Sequence, residues 1–366
     1  MPPPDRTSIS SRVISDVRFT FLGTGTSAGI PAIGCDCAVC TSQDPRDRRL
    51  RTSSLLEFTD AKGQARAVLI DAGPDLREQA LRHGMKRLDA ILFTHNHVDH
   101  TWGLDEVRRF NAIQDGPIDV YADAHTDAHL RRVYTHIFDR DRNVNDSFVA
   151  TLIGHRVEPG RAFTVHGLRV MPIPLLHGKL PVLGYRLEAE GGDEDERDST
   201  RRAAESRGGR RSPRSATEAH GEELGIGADA EEVGARARNA SEAVGNDGKG
   251  DAVGSGSGSS GGPLPLAYCT DVSAVPPESW VMLKGLETLV LDALRDRRHP
   301  THLTLDQALS IAERVDARRT YFVHMSHDLG HAETMARLEA SGHAARAALA
   351  HDGLTLKASG NRGAGK

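Results

Sequence analysis

The chain has 366 residues, 38% of them hydrophobic, enough to bury one large core or two modest ones. Its formal net charge is −5 with acidic and basic residues interspersed, which argues against a large nucleic-acid-binding surface. No apolar run is long enough to span a bilayer and Met1 to Arg6 lacks the apolar core of a secretory signal, so the expectation is a cytoplasmic protein with no membrane partner.

Residues 17–22 read as the first strand, running into Gly23-Thr24-Gly25-Thr26-Ser27-Ala28-Gly29. The G-x-G-x-x-x-G spacing, with Pro31 and Gly34 where a helix should open, does not fit a dinucleotide loop. A glycine-rich turn that carries the backbone past a buried site fits better. Cys35, Cys37 and Cys40 follow as a C-x-C-x2-C knuckle. Three of the four cysteines crowd here, which suits a tetrahedral zinc short of one ligand, the alternative being a trio of reduced thiols. Residues 53–58 and 67–70 read as a hairpin about Lys62-Gly63, its second strand running into Asp71. Residues 75–83 are helical by pattern.

A short apolar run, residues 88–93, reads as a strand that delivers Thr94-His95-Asn96-His97-Val98-Asp99-His100. A strand running into such a turn aims several side chains at one point, and His95 and His97, two apart, fall on the same side. Imidazole with carboxylate is the ligand mix for zinc, manganese or iron rather than calcium. Helices are expected over 104–112 and 124–138 with a strand at 118–121 between them. His125, His129 and His136, like His83, His155, His166 and His343, read as surface or packing residues. Residues 163–165 and 168–173 flank His166-Gly167 as a hairpin, and His177 lies on a turn before a strand at 184–187.

From 188 to 262 the composition changes: no aromatic residue, few aliphatics, and repeated Glu, Arg, Gly and Ser. Such a stretch cannot bury enough apolar surface to offset the entropy of ordering. The expectation is a disordered insertion within one domain, whose two parts are 15–187 and 263–358. A strand at 264–271 then ends in Asp271, and 286–293 reads as another buried strand. Arg298 to His302 form a loop, and Thr304-Leu305-Asp306-Gln307 is a capping box opening a helix to Val315. A strand at 319–323 delivers His324-Met325-Ser326-His327, a helix covers 332–340, and 354–356 closes the chain.

The run H-x-H-x-D-H after a strand resembles the signature of the metallo-β-lactamase superfamily of binuclear metal hydrolases. The resemblance implies an α+β fold, a four-layer αββα sandwich. It places His95, His97 and His177 on one ion, Asp99, His100 and His324 on the other, and Asp271 as the bridge. Asp71 would support the metal loop from behind, its alternative being an ordinary turn. The glycine-rich turn with Cys35, Cys37 and Cys40, the turn Pro174 to Gly178, and His324/His327 further resemble the phosphonate-operon cyclic phosphodiesterase branch. That branch implies a structural zinc on Cys35, Cys37, Cys40 and His327, and a further active-site histidine at His302. His302 and Asp99 are then the catalytic residues. The activity implied is hydrolysis of a small, cyclic phosphodiester by a hydroxide shared between two divalent ions, zinc or manganese. Alternatives of the same fold are a ribonuclease Z-type tRNA 3′-end endonuclease and a thioester or lactam hydrolase. A homodimer remains open.

Overall fold

The computed structural model describes residues 14–139, 148–190 and 262–357. Nearly all of the expected insertion lies outside the described residues. Its opening does not: Glu188 and Ala189 complete a strand, so the first part of the domain runs past 187.

Two seven-stranded sheets face each other. The first contains, in spatial order, β14 (Thr355–Lys357), β1 (Ser15–Gly23), β2 (Ser53–Thr59), β3 (Ala65–Ile70), β4 (Ala90–Leu92), β5 (Ile118–Ala122) and β6 (Leu152–Arg156). The second contains β13 (Ala347–Leu349), β12 (Arg319–Val323), β11 (Thr288–Asp292), β10 (Leu266–Cys269), β9 (Leu180–Ala189), β8 (Leu168–His177) and β7 (Phe163–Val165). Strands β3 to β6 are parallel, as are β10 to β13, while antiparallel pairs complete each sheet.

Parallel strands must be covered on both faces, and the period of two in their side chains shows how. Phe19, Phe21, Leu56, Val68, Ile70 and Leu92 from the first sheet meet Val170, Leu183, Tyr185, Tyr268, Val290 and Val323 from the second. The alternate residues Leu55, Leu69 and Ile91 pack outward under Leu76, Phe110 and Leu130. Those three belong to α1 (Leu76–Arg82), α3 (Arg108–Gln114) and α4 (Ala124–Val133); α2 (Val98–Thr101) lies in the histidine loop. On the far side Leu289, Leu291 and Phe322 pack under α6 (Leu305–Val315) and α7 (His331–Ala340). Fully burying each such side chain contributes roughly 1.5–3 kcal/mol. The result is the αββα sandwich.

Local signals hold where they are strong. The capping box of α6 is complete: Gln307 N–H donates to Thr304 Oγ1 at 3.2 Å and Thr304 N–H to Gln307 Oε1 at 3.0 Å. Elsewhere tertiary contacts intervene. The helix expected over 124–138 breaks at Tyr134 into α4 and α5 (Thr135–Phe138), and the Tyr134 hydroxyl donates to Thr101 O at 2.9 Å. The helix expected at 104–112 starts as a 3-10 turn, Leu104–Val107. Strands β8 and β9 are each ten residues long, and His177 ends β8 at the hairpin tip rather than lying on a separate turn. Among the described residues no helix is long and apolar enough to cross a membrane.

Candidate metal centre

The parallel strands end along one edge, the usual place for a site in such sheets. Three of the strand ends pass into residues of left-handed backbone: Asp71 (φ 61°), Asp271 (φ 55°) and His324 (φ 58°). For residues other than glycine that conformation costs on the order of 1–2 kcal/mol, so the surroundings must hold it.

Asp71 shows how. It is fully buried, accepts from Thr94 N–H and Thr94 Oγ1–H at 2.8 Å each, and takes the His100 Nδ1–H at 2.7 Å. It therefore knots the turn after β4 and leaves His100 Nε2 for the cavity. Behind it, Ala72 N–H donates to His100 O at 2.8 Å, and a Cβ on Gly73 would lie 2.1 Å from the Asp99 carbonyl oxygen. Glycine is required there by the approach of two backbones.

In front of this turn the ligand atoms of His95, His97, His177 and Asp271 lie within 4.8 Å of one another, and so do those of Asp99, His100, Asp271 and His324. Asp271 belongs to both groups. Its Oδ1 is 3.9 Å from His95 Nε2 and 3.3 Å from His324 Nε2, and its Oδ2 is 3.2 Å from His100 Nε2. Asp99 Oδ2 lies 3.3 Å from His100 Nε2 and 3.7 Å from His324 Nε2. The His177 Nδ1–H donates to Thr301 O at 2.7 Å, which turns its other nitrogen to the group.

Donor chemistry supports a pair of cations here. The buried Nε2 atoms of His95, His100 and His324 have no hydrogen-bond partner, an arrangement that is costly unless an ion takes them up. Burial lowers the pKa of His95, His97 and His177, keeping those rings neutral and able to ligate. Burial opposes ionisation of Asp271 as well, yet His324, His100 and His95 outweigh it and hold the carboxyl well below its usual range. Burial would also lower His100 and His324, but the surrounding carboxylates raise both. That pull toward positive charge marks the place that a cation would occupy.

His302 is wedged between His177 and His324, with ring centroids 4.5 and 4.7 Å away. Its Nδ1 lies 3.1 Å from Asp292 Oδ2, a residue that sequence reasoning missed. Asp292 ends β11, is fully buried, and also accepts from Leu303 N–H at 3.1 Å and Val272 N–H at 3.3 Å. Its Oδ1 has no hydrogen bond and lies 3.7 Å from His324 Nδ1. An apolar strand ending in aspartate, as at Asp71, was the available signal.

The second cluster is local. Cys35, Cys37 and Cys40 Sγ lie 3.2, 3.6 and 3.4 Å from His327 Nδ1. Tetrahedral zinc separates sulfur and nitrogen ligands by about 3.5 Å, so the four fit it. The Cys40 N–H brings the Cys37 thiol down to about 7, while burial pushes Cys40 up to about 11. Cys269 is a buried strand residue. The structure brings together every residue that the motifs singled out.

Two facing sheets under helices, with imidazoles and carboxylates gathered at the strand ends, define a metallo-β-lactamase-fold hydrolase. The chain belongs to the beta-lactamase superfamily, whose domain matches residues 66–194 and 227–325. Within it, the chain is 35% identical to a solved diphosphatase from the PhnP family, covering 94% of this chain and 98% of that one with a TM-score of 0.65. Zinc-bound PqqB from Methylobacterium extorquens, 18% identical with a TM-score of 0.58 over 93% of this chain and 99% of that one, shares the fold. An octanoyltransferase of Porphyromonas gingivalis is 28% identical over 312 residues, 85% of this chain and 46% of that protein. The chain therefore spans less than half the length of that curated relative.

Proposed function

We propose that the chain hydrolyses a small phosphodiester, a cyclic one being the favoured class, with two divalent ions, zinc or manganese, at the histidine–carboxylate cluster. The observation that carries this is His302, backed by the Asp292 carboxylate and seated between His177 and His324. A leaving alkoxide needs a proton, and a thioester does not need one so placed.

His95, His97 and His177 would hold one ion, Asp99, His100 and His324 the other, and Asp271 both. Ions bound there would supply an acidified water and Lewis-acid contacts for a phosphoryl oxygen. Asp71 fixes His100 through its Nδ1–H and Thr94 through two hydrogen bonds, so the loop arrives in register. Asp99, kept ionised by His100 against the effect of burial, would accept a proton from the attacking water with the oxygen that the ion leaves free. Asp292 accepts the Nδ1–H of His302 and would stabilise its imidazolium form, whose Nε2–H is then the proton given to the departing oxygen, leaving the ring neutral. Val98 and Trp102 are exposed beside this loop, which leaves it open to a ligand. Cys35, Cys37, Cys40 and His327 would hold a structural zinc contributing on the order of 10 kcal/mol.

A second reading, cleavage of a phosphoric anhydride, is favoured by the 35% identical diphosphatase. The test is metal analysis beside a panel: a 2′,3′-cyclic nucleotide, a nucleoside diphosphate, precursor tRNA, a glutathione thioester and an octanoyl thioester. Turnover of the cyclic diester supports the first reading and of the diphosphate the second. Turnover confined to tRNA or a thioester overturns both.

A further inference from the structure

We propose that Arg49 is a positioning residue for both clusters: its buried fork holds the loop after β12 so that His324 faces one cluster and His327 the other. The proposal rests on reading the two clusters as metal sites.

Arg49 is 1% exposed. Its NH1 donates to Ser326 O at 3.1 Å, and its NH2 to Leu329 O at 2.6 Å and Asp47 Oδ1 at 3.0 Å. The same Asp47 oxygen accepts the His331 N–H at 2.7 Å, at the start of α7. The ion pair thus pinches the chain on both sides of His327. Upstream, Met325 N–H donates to Thr24 O at 3.0 Å and Thr26 N–H to Met325 O at 3.1 Å. His324 needs this support because its φ of 58° is the left-handed conformation that a histidine disfavours. Stability alone is a poor account of the pair, since a buried ion pair is often no better than well-packed apolar groups. Four donated hydrogen bonds, these three and one from Nε to Arg46 O at 3.3 Å, fixed by one planar group, are what neither an apolar side chain nor an ammonium reproduces.

The test is a cobalt(II) titration of the metal-free full chain, followed by absorption spectra and calorimetry, with circular dichroism to confirm folding. Thiolate charge-transfer bands report the cysteine cluster, and calorimetry reports the two catalytic positions. In Arg49→Lys both the position that uses His324 and the cysteine cluster that uses His327 should weaken 10–100-fold, the range seen when groups behind metal ligands are removed, while the His95/His97/His177 position keeps its affinity. Arg66→Lys is the control, since Arg66 makes a partly buried ion pair with Asp60 and Asp89 instead. Unchanged affinities in folded Arg49→Lys, or an equal loss in Arg66→Lys, overturn the proposal. Should Arg49→Lys not fold, Asp47→Asn is judged by the same outcomes. A wild-type chain that takes up no cobalt outside the cysteines overturns the metal-site reading itself, and this proposal with it.

Discussion

The cysteine cluster and the histidine–carboxylate cluster are assembled by opposite means. In the first, one loop supplies three of four donors within six residues, and only His327 comes from elsewhere. In the second, the donors come from the ends of β4, β8, β10 and β12, each set in place by the sheet behind it. A loop with so little apolar burial needs its ion in order to hold shape. A cluster imposed by two sheets should keep its geometry without one, so metal should matter to the first mainly for folding and to the second mainly for chemistry.

The contrast can be broken most directly at the cysteines. Cys37→Ser should remove one of three metal equivalents and lower the free energy of unfolding by more than about 5 kcal/mol, read by denaturant titration. An unchanged midpoint would end the distinction. His97→Ala should do the reverse: phosphodiester hydrolysis falls by about 10³ or more, while the metal-free protein melts within about 0.5 kcal/mol of wild type. One side of the residue is open to solvent while the other meets His95 and His177, so less packing is lost than at a fully enclosed histidine. Asp292→Asn should reduce kcat 10–100-fold with both active-site ions retained, because its hydrogen-bond contact is with His302, whereas His324 lies farther off at 3.7 Å. Loss of an ion in that variant would move Asp292 into the metal site.

A pH effect concerns Asp352, which accepts from Thr24 Oγ1–H and Leu50 N–H at 2.8 Å each. Burial pushes its carboxyl up to about 7, against an unfolded value near 4. The native state then holds a proton that the unfolded chain releases. Its contribution to stability is therefore full below about pH 4 and declines as pH rises to 7, by on the order of 4 kcal/mol. Asp352→Asn, neutral at every pH, should flatten that part of the pH–stability curve. A curve of the same slope would assign the decline to other groups.

Local signals were legible and distant ones were not. The ligand loop, the knuckle, the first hairpin and the capping box each declare themselves within a few residues. Asp292 does not, because its meaning depends on His302 ten residues later folding back onto it. The hairpin of β8 and β9, two strands of ten residues each, was under-read because Pro172, Pro174 and Pro181 interrupt the strand pattern. Strand β13, Ala347–Leu349, carries too little β-branched or aromatic character to announce itself. The break at Tyr134 follows from a hydroxyl that reaches Thr101, a partner that no helical period encodes. The resemblance to a known family filled part of this gap, since it named His177, Asp271 and His324 as companions of the loop.

The left-handed backbone at Asp271 and His324 has an evolutionary corollary. Asparagine adopts that conformation more readily than most residues, and it would carry no charge into the cluster. Because Asp271 and His324 also pair with each other, selection for heat resistance alone, in the absence of metal, should favour asparagine at both positions together rather than at either one, and erode catalysis there first. A population of thermally hardened descendants would carry the location of the active site in the positions it had lost.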